Sequence, residues 1–245
     1  MTRADLQSVV VVSEGCRLFG GLYLAAATTP APTVVLLHGL PGHERSLDLA
    51  HWLRGLGIHV LFFAFRGAWG SEGTYSLHHC VPDTLAALDA ALVHPQVDRS
   101  RVALAGLSLG GWTALAAAAV QPAVRAVVAM APLIDPRRPL GGQGLDDALA
   151  TEFAQPLRQV EPQRLQHEWN SLTPVDQLAP ALTGRPILLV TAGRDQLFPP
   201  AHYAGLQGLL PQIDWVTFPR ADHLFSAVRP GLCHTVGAWL LDRLT

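Results

Sequence analysis

The feature that most restricts how this chain can fold is a repeated alternation between short apolar runs and segments of helical period. Val34 to Leu37, His59 to Phe65, Val102 to Ala105 and Ala126 to Met130 are dominated by Val, Leu, Phe and Ala and show no polar face. A strand with one wet face alternates polar with apolar residues, so runs without that alternation read as strands covered on both sides. Between them, Leu47 to Leu56, Thr84 to Val93 and Leu109 to Val120 read as helices, each closed by a nearby Gly or Pro. Ile187 to Thr191 and Ile213 to Phe218 extend the strand series, with helical stretches at Pro200 to Leu210 and Val236 to Leu244. Such alternation builds a parallel sheet with helices on both faces. Ser8 to Ser13 and Arg17 to Ala25, joined by Glu14-Gly15, suggest an antiparallel hairpin at the sheet edge. The expected class is α/β, with a mostly parallel sheet of about eight strands.

Length and composition agree with one layered domain over residues 1–245, since 49% of the residues are apolar and only 15% charged. The rhythm fails between Pro136 and Arg185, where Pro136, Pro139 and Gly141-Gly142 precede two short helical stretches, Leu145 to Leu157 and Pro162 to Trp169. A cap insertion over about 136–185 is expected there. Seventeen basic residues face nineteen acidic ones without a long block of either sign, which argues against nucleic acid and anionic lipid as partners. Cys16, Cys80 and Cys233 are too scattered for a disulfide framework or a zinc site. Neither H-E-x-x-H, G-x-G-x-x-G nor a P-loop occurs, so no metal or nucleotide cofactor is expected. No apolar stretch has a membrane helix's length, and Val9 to Val12 is too short for a signal core, so a cytoplasmic protein is expected.

Gly106-Leu107-Ser108-Leu109-Gly110 lies directly between the run Val102 to Ala105 and the helix starting near Leu109. A serine in a tight turn from strand to helix is held in a strained conformation, and glycines two residues to either side remove side chains that would strike the neighbouring backbone. The turn lifts Ser108 above the carboxyl end of the sheet and beside a helix N-terminus, where the N–H of Leu109 can receive developing negative charge.

With these residues the chain resembles the α/β-hydrolase superfamily, in the branch of serine esterases and small serine peptidases. The resemblance runs from about Val34 to the end. It implies an eight-stranded core, a nucleophile on the elbow, and an acid and then a histidine later in the chain. His38-Gly39-Leu40-Pro41-Gly42 stands where the superfamily places its oxyanion loop, making the Leu40 N–H the second donor and His38 a brace. Gly193-Arg194-Asp195 follows a strand and is similar to the superfamily's acid-bearing segment, so Asp195 is the expected acid, ahead of Asp176 and Asp214. Asp222-His223-Leu224-Phe225 looks like the superfamily's histidine loop, making His223 the expected base. Arg66-Gly67-Ala68-Trp69-Gly70-Ser71-Glu72-Gly73 resembles a loop of esterases and small peptidases that buttresses the oxyanion loop.

For the substrate, Leu145, Leu149 and Phe153, then Leu165, Trp169 and Leu172, can either roof an apolar pocket or pack on the core. Trp69 and Phe198 sit on rim loops as candidate aromatic walls, which completes a candidate binding set of Trp69, Phe153, Trp169 and Phe198. The favoured reading is a carboxylesterase acting on small-molecule esters through an acyl-enzyme. The first alternative is a peptidase or amide hydrolase, with Glu152, Glu161 or Glu168 available to anchor a peptide terminus. A non-catalytic binding protein on the same scaffold is the remote third.

Overall fold

A computed structural model describes residues 3–27, 30–138 and 156–244. The chain opens with β1 (Asp5–Ser13) and β2 (Cys16–Leu24), paired antiparallel. Glu14 and Gly15 turn the hairpin with positive φ angles of 45° and 80°, the pairing of signs that matches the twist of two joined strands. Then follow β3 (Ala31–Leu37), α1 (Leu47–Gly55), β4 (His59–Phe63), α2 (Cys80–Leu92), β5 (Val97–Leu107), α3 (Leu109–Val120) and β6 (Val124–Met130). After β6 come α4 (Pro162–Ser171), α5 (Val175–Leu182), β7 (Ile187–Ala192), the single turn α6 (Leu206–Leu209), β8 (Ile213–Phe218) and α7 (Arg229–Leu244).

The strands form one eight-stranded sheet in the order β1-β2-β4-β3-β5-β6-β7-β8. Pairings of β2 with β1 and β4 are antiparallel and the remaining five are parallel. This is the α/β-hydrolase fold expected from the sequence. Alternate residues of the central strands feed two separate cores, which is why those strands carry no polar face. Val35, Leu37, Leu61, Phe63, Leu104, Val127 and Leu189 meet α2, α3, α4 and α5 on one side. Val34, Leu36, Val60, Phe62, Ala103, Val128 and Leu188 meet α1 and α7 on the other.

Helix boundaries depart from expectation where proline is involved. Pro82 and Pro230 each lie in the first turn of a helix, where a missing N–H leaves no intrahelical bond unmade, so α2 and α7 start earlier than the sequence suggested. Pro180 lies inside α5, a helix that the sequence reading missed, and burial of Val175, Ala179 and Leu182 against the fold holds it in place. The expected helix Pro200 to Leu210 is instead a 3₁₀ turn, Pro200–Tyr203, and the single turn α6, separated by Gly205 at φ 85°.

Within the expected cap, Leu165, Trp169 and Leu172 are buried in the first core, Leu157 bridges to Ala68, and α5 packs on α3. The described part of the insertion is thus built into the body of the fold. Leu145, Leu149 and Phe153 lie outside the described residues.

Candidate active site

Ser108 occupies the turn between β5 and α3 with φ 58° and ψ −120°, a region that a residue with a side chain occupies only under constraint. That constraint is visible. The Ser108 N–H donates to the Met130 carbonyl at 2.8 Å, and the Ser108 carbonyl accepts from the N–H groups of Gly111, Trp112 and Leu133 at 3.0, 3.2 and 3.3 Å. A Cβ on Gly106 would sit 2.1 Å from the Gly110 carbonyl oxygen, and one on Gly110 would lie 2.5 Å from the Leu37 carbonyl oxygen. The turn can close only because both positions are glycine. The N–H of Leu109 opens α3, where no carbonyl of that helix reaches it.

The loop after β3 presses directly on this serine. A Cβ on Gly39 would fall 3.1 Å from Ser108 Cβ and 3.7 Å from its Oγ. His38 braces the loop: its Nδ1 lies 2.7 Å from the Gly39 carbonyl oxygen, and its Nε2 accepts the Phe65 N–H at 3.1 Å. Complete burial pushes the imidazole down to about 4, so it is neutral near pH 7, as this donor and acceptor pair requires. The Leu40 N–H lies on the same loop and, like that of Leu109, has no acceptor among the described residues.

Asp195 follows β7 and His223 follows β8, so both leave the same carboxyl edge of the sheet as Ser108. His223 Nδ1 is 2.7 Å from Asp195 Oδ2, while Asp195 Oδ1 accepts the N–H groups of Leu197 and Phe198, each at 2.9 Å. With Nδ1 donating to the carboxylate, Nε2 carries the lone pair needed to take a hydroxyl proton. The Asp195 side chain is 0% exposed and that of His223 12%, so the carboxylate is sealed while the imidazole keeps an open face. Asp222, the neighbour of His223 in sequence, accepts the Ser226 N–H instead. Asp176 pairs with Arg137, and Asp214 with Arg243 and the Trp239 indole.

His202 belongs to this site although nothing in the sequence distinguishes it among the eleven histidines. It is buried, its ring stacks on Phe198 at 4.7 Å, and the other edge of the contact is Phe198 against His223 at 5.3 Å. His202 Nε2 accepts the Ile134 N–H at 3.0 Å, and burial holds the imidazole down to about 4. Since Leu133 is bonded to the Ser108 carbonyl, a continuous set of contacts runs from the serine turn through Ile134, His202 and Phe198 to His223.

Two expected aromatic walls are corrected by these positions. Phe198 is 1% exposed and supports the His223 ring from within, and Trp169, on the buried face of α4, is 5% exposed in the core. Trp69 does stand at the rim: its indole N–H donates to the Pro41 carbonyl at 2.9 Å and the Arg45 guanidinium lies over its ring at 4.7 Å. Its loop is anchored by Arg66, whose guanidinium donates to Asp83, Glu14 and Ser13 while its backbone N–H donates to Asp83. Arg17 with Glu72, and Ser71 with the Phe19 N–H, tie the other end of that loop to the hairpin. Among the described residues no group of three His, Cys, Asp or Glu is arranged to hold a metal, and no helix is long and apolar enough to cross a membrane.

Residues 50–244 match the sequence model of the prolyl oligopeptidase family. The chain belongs to that family. Within the prolyl oligopeptidase family match lie Ser108, Asp195 and His223, whereas the loop His38 to Gly42 precedes it. An uncharacterized protein of Mycobacterium tuberculosis is 34% identical over 116 residues, which cover 46% of this chain and 41% of that relative. The chain therefore spans less than half the length of such curated relatives. Among solved structures, Est1E from Butyrivibrio proteoclasticus with ferulic acid bound superposes with a TM-score of 0.79 at 19% identity, covering 96% of this chain and 98% of that one. The α/β hydrolase GrgF from Penicillium does so with a TM-score of 0.78 at 20% identity, covering 98% and 99%. At such identities these likenesses establish the fold of this prolyl oligopeptidase family member and no more.

Proposed function

We propose that this hydrolase cleaves carboxylic esters through a covalent acyl-enzyme, with Ser108 as nucleophile, His223 as base and Asp195 as the acid that orients it. The observation that carries the reading is the 2.7 Å contact of His223 Nδ1 with a carboxylate itself pinned by two backbone N–H groups. Ser108 Oγ attacks the ester carbonyl while its proton passes to His223 Nε2. The N–H groups of Leu40 and Leu109 receive the oxyanion, and each such donor is worth about a hundredfold to a thousandfold in rate. His223 then gives the proton to the departing alcohol, and water repeats the sequence to release the acid. Ferulic acid bound to Est1E supports trying aryl and small acyl esters first.

The family match favours a second reading, an amide or peptide hydrolase. Cleaving a peptide near its terminus calls for a free carboxylate to hold the amine. Glu168 does not fit that task, because its carboxylate already accepts the Leu77 N–H and pairs with Arg164. Glu161 is exposed ahead of α4, and Glu152 lies outside the described residues. Ester cleavage needs no such anchor and stays first.

Turnover of p-nitrophenyl acetate and butyrate measured beside aminoacyl p-nitroanilides separates the two. Ester turnover should dominate, and Ser108→Ala should reduce it to background and abolish labelling by a fluorophosphonate probe. Dominant anilide cleavage reverses the ranking, and labelling that survives the substitution removes Ser108 as nucleophile and favours a non-catalytic binding role.

A further inference from the structure

The pole of the sheet opposite Ser108 carries a cavity of about 430 Å³ whose lining includes Arg99, Ser100, Arg125, Thr183 and Arg185. These residues come from the start of β5, the start of β6 and the turn leading into β7. Ser100 and Ser108 are separated by the length of β5, roughly 25 Å at about 3.3 Å per residue. The cavity is therefore distinct from the candidate active site, and nothing in the proposed ester chemistry draws on it.

Three arginines line this one cavity, and none has a carboxylate partner among the described residues. Elsewhere in the chain Arg17, Arg66, Arg137 and Arg229 are matched to acids. Asp98, the nearest acid in sequence to Arg99, is already taken by Ser100 and by Arg101. The Nε–H of Arg185 is buried and has no hydrogen-bond partner, and burial draws that guanidinium below its usual range. Like charges gathered in a concave site repel one another and lose hydration, a cost that an anion entering between them removes. Guanidinium forks fit the oxygens of phosphate in pairs, and a volume of this size falls within the range of small-molecule pockets.

We propose that this cavity is a binding site for a small phosphorylated molecule carrying two or more adjacent anionic groups. Arg185 supplies the inner contact from its partly buried guanidinium, and the exposed Arg99 and Arg125 close on the outer oxygens.

Isothermal titration calorimetry of the purified chain with inorganic pyrophosphate tests the site, with sodium acetate as the singly charged control. One saturable site per chain is expected, weakened by rising salt, with at least tenfold loss of affinity in the double variant Arg99→Gln/Arg125→Gln. Both side chains are exposed, so the variant should keep the far-ultraviolet circular dichroism and melting temperature of the parent. Arg185→Gln, checked for folding in the same way, should lose affinity at least as strongly. Absence of saturable binding at millimolar pyrophosphate overturns the proposal. Unchanged affinity in the double variant marks an adventitious ion only and does the same. Retention on vesicles rich in phosphatidylglycerol without binding of free pyrophosphate would assign the arginines to a membrane surface, and would also overturn it.

Discussion

Asp195 shows how one side chain can be fixed by its neighbours before any substrate arrives. One oxygen is held by two backbone N–H groups and the other faces His223 Nδ1, so the carboxylate has no freedom to turn. In Asp195→Asn the amide would present its NH2 to Nδ1 and favour the wrong imidazole tautomer. The expected result is a fall in kcat of about ten-thousandfold with the fold intact, read from ester turnover beside a melting curve. Ser108, Asp195 and His223 were readable as a candidate set because each lies within a few residues of the end of an apolar run and the three come in the superfamily's order. His202 was not, since its role depends on stacking against Phe198 and on reaching Ile134 across the fold. Phe198 was misread because proximity to a rim loop in sequence does not say which way a ring turns, and of the two readings open for Trp169 the structure shows the one in which its ring packs in the core.

At the level of elements, the loop after β4 is secured from three directions through one buried cation. The Arg66 side chain is 6% exposed and that of Asp83, on α2, is 0% exposed, while Glu14 and Ser13 come from the amino-terminal hairpin. Replacing one member of such a pair leaves the other charged and unsolvated, which typically costs about 3–5 kcal/mol. Arg66→Met should therefore lower the urea midpoint sharply, and Arg66→Met/Asp83→Leu should recover part of the loss. A midpoint unchanged in the single variant would show that the hairpin and α2 are held by apolar contacts alone. The strands and α3 could be read from pattern because a doubly covered strand must be apolar throughout. Proline misled the reading of α2, α5 and α7, because its effect depends on how far along the helix it stands and on what the helix buries.

Across the whole molecule, two buried neutral imidazoles couple stability to pH. His38 and His202 are each held at about 4 in the native chain against an ordinary value of 6.5. The unfolded chain therefore binds these protons first as pH falls. Their contribution is complete above about pH 6.5 and is lost progressively down to about pH 4, with each histidine costing up to about 1.4 kcal/mol per pH unit in that window. Urea midpoints should fall from pH 7 to pH 5, and a flat profile over that range would contradict the buried neutral assignment. The general architecture followed from the alternation of runs, but the crossing order β1-β2-β4-β3 did not, because doubly buried strands carry no mark of which neighbour they will join.

The seat of β3 in that order has a practical consequence. This strand, Ala31–Leu37, lies between β4 and β5, near the middle of the sheet, and yet precedes the stretch that matches the family. A shortened protein beginning at residue 50 would keep Ser108, Asp195 and His223 but lack a central plank of the sheet, along with Gly39, which presses on the serine. The most recognisable part of the chain is not a portable module, and a graft meant to carry the chemistry elsewhere would have to begin upstream of Ala31.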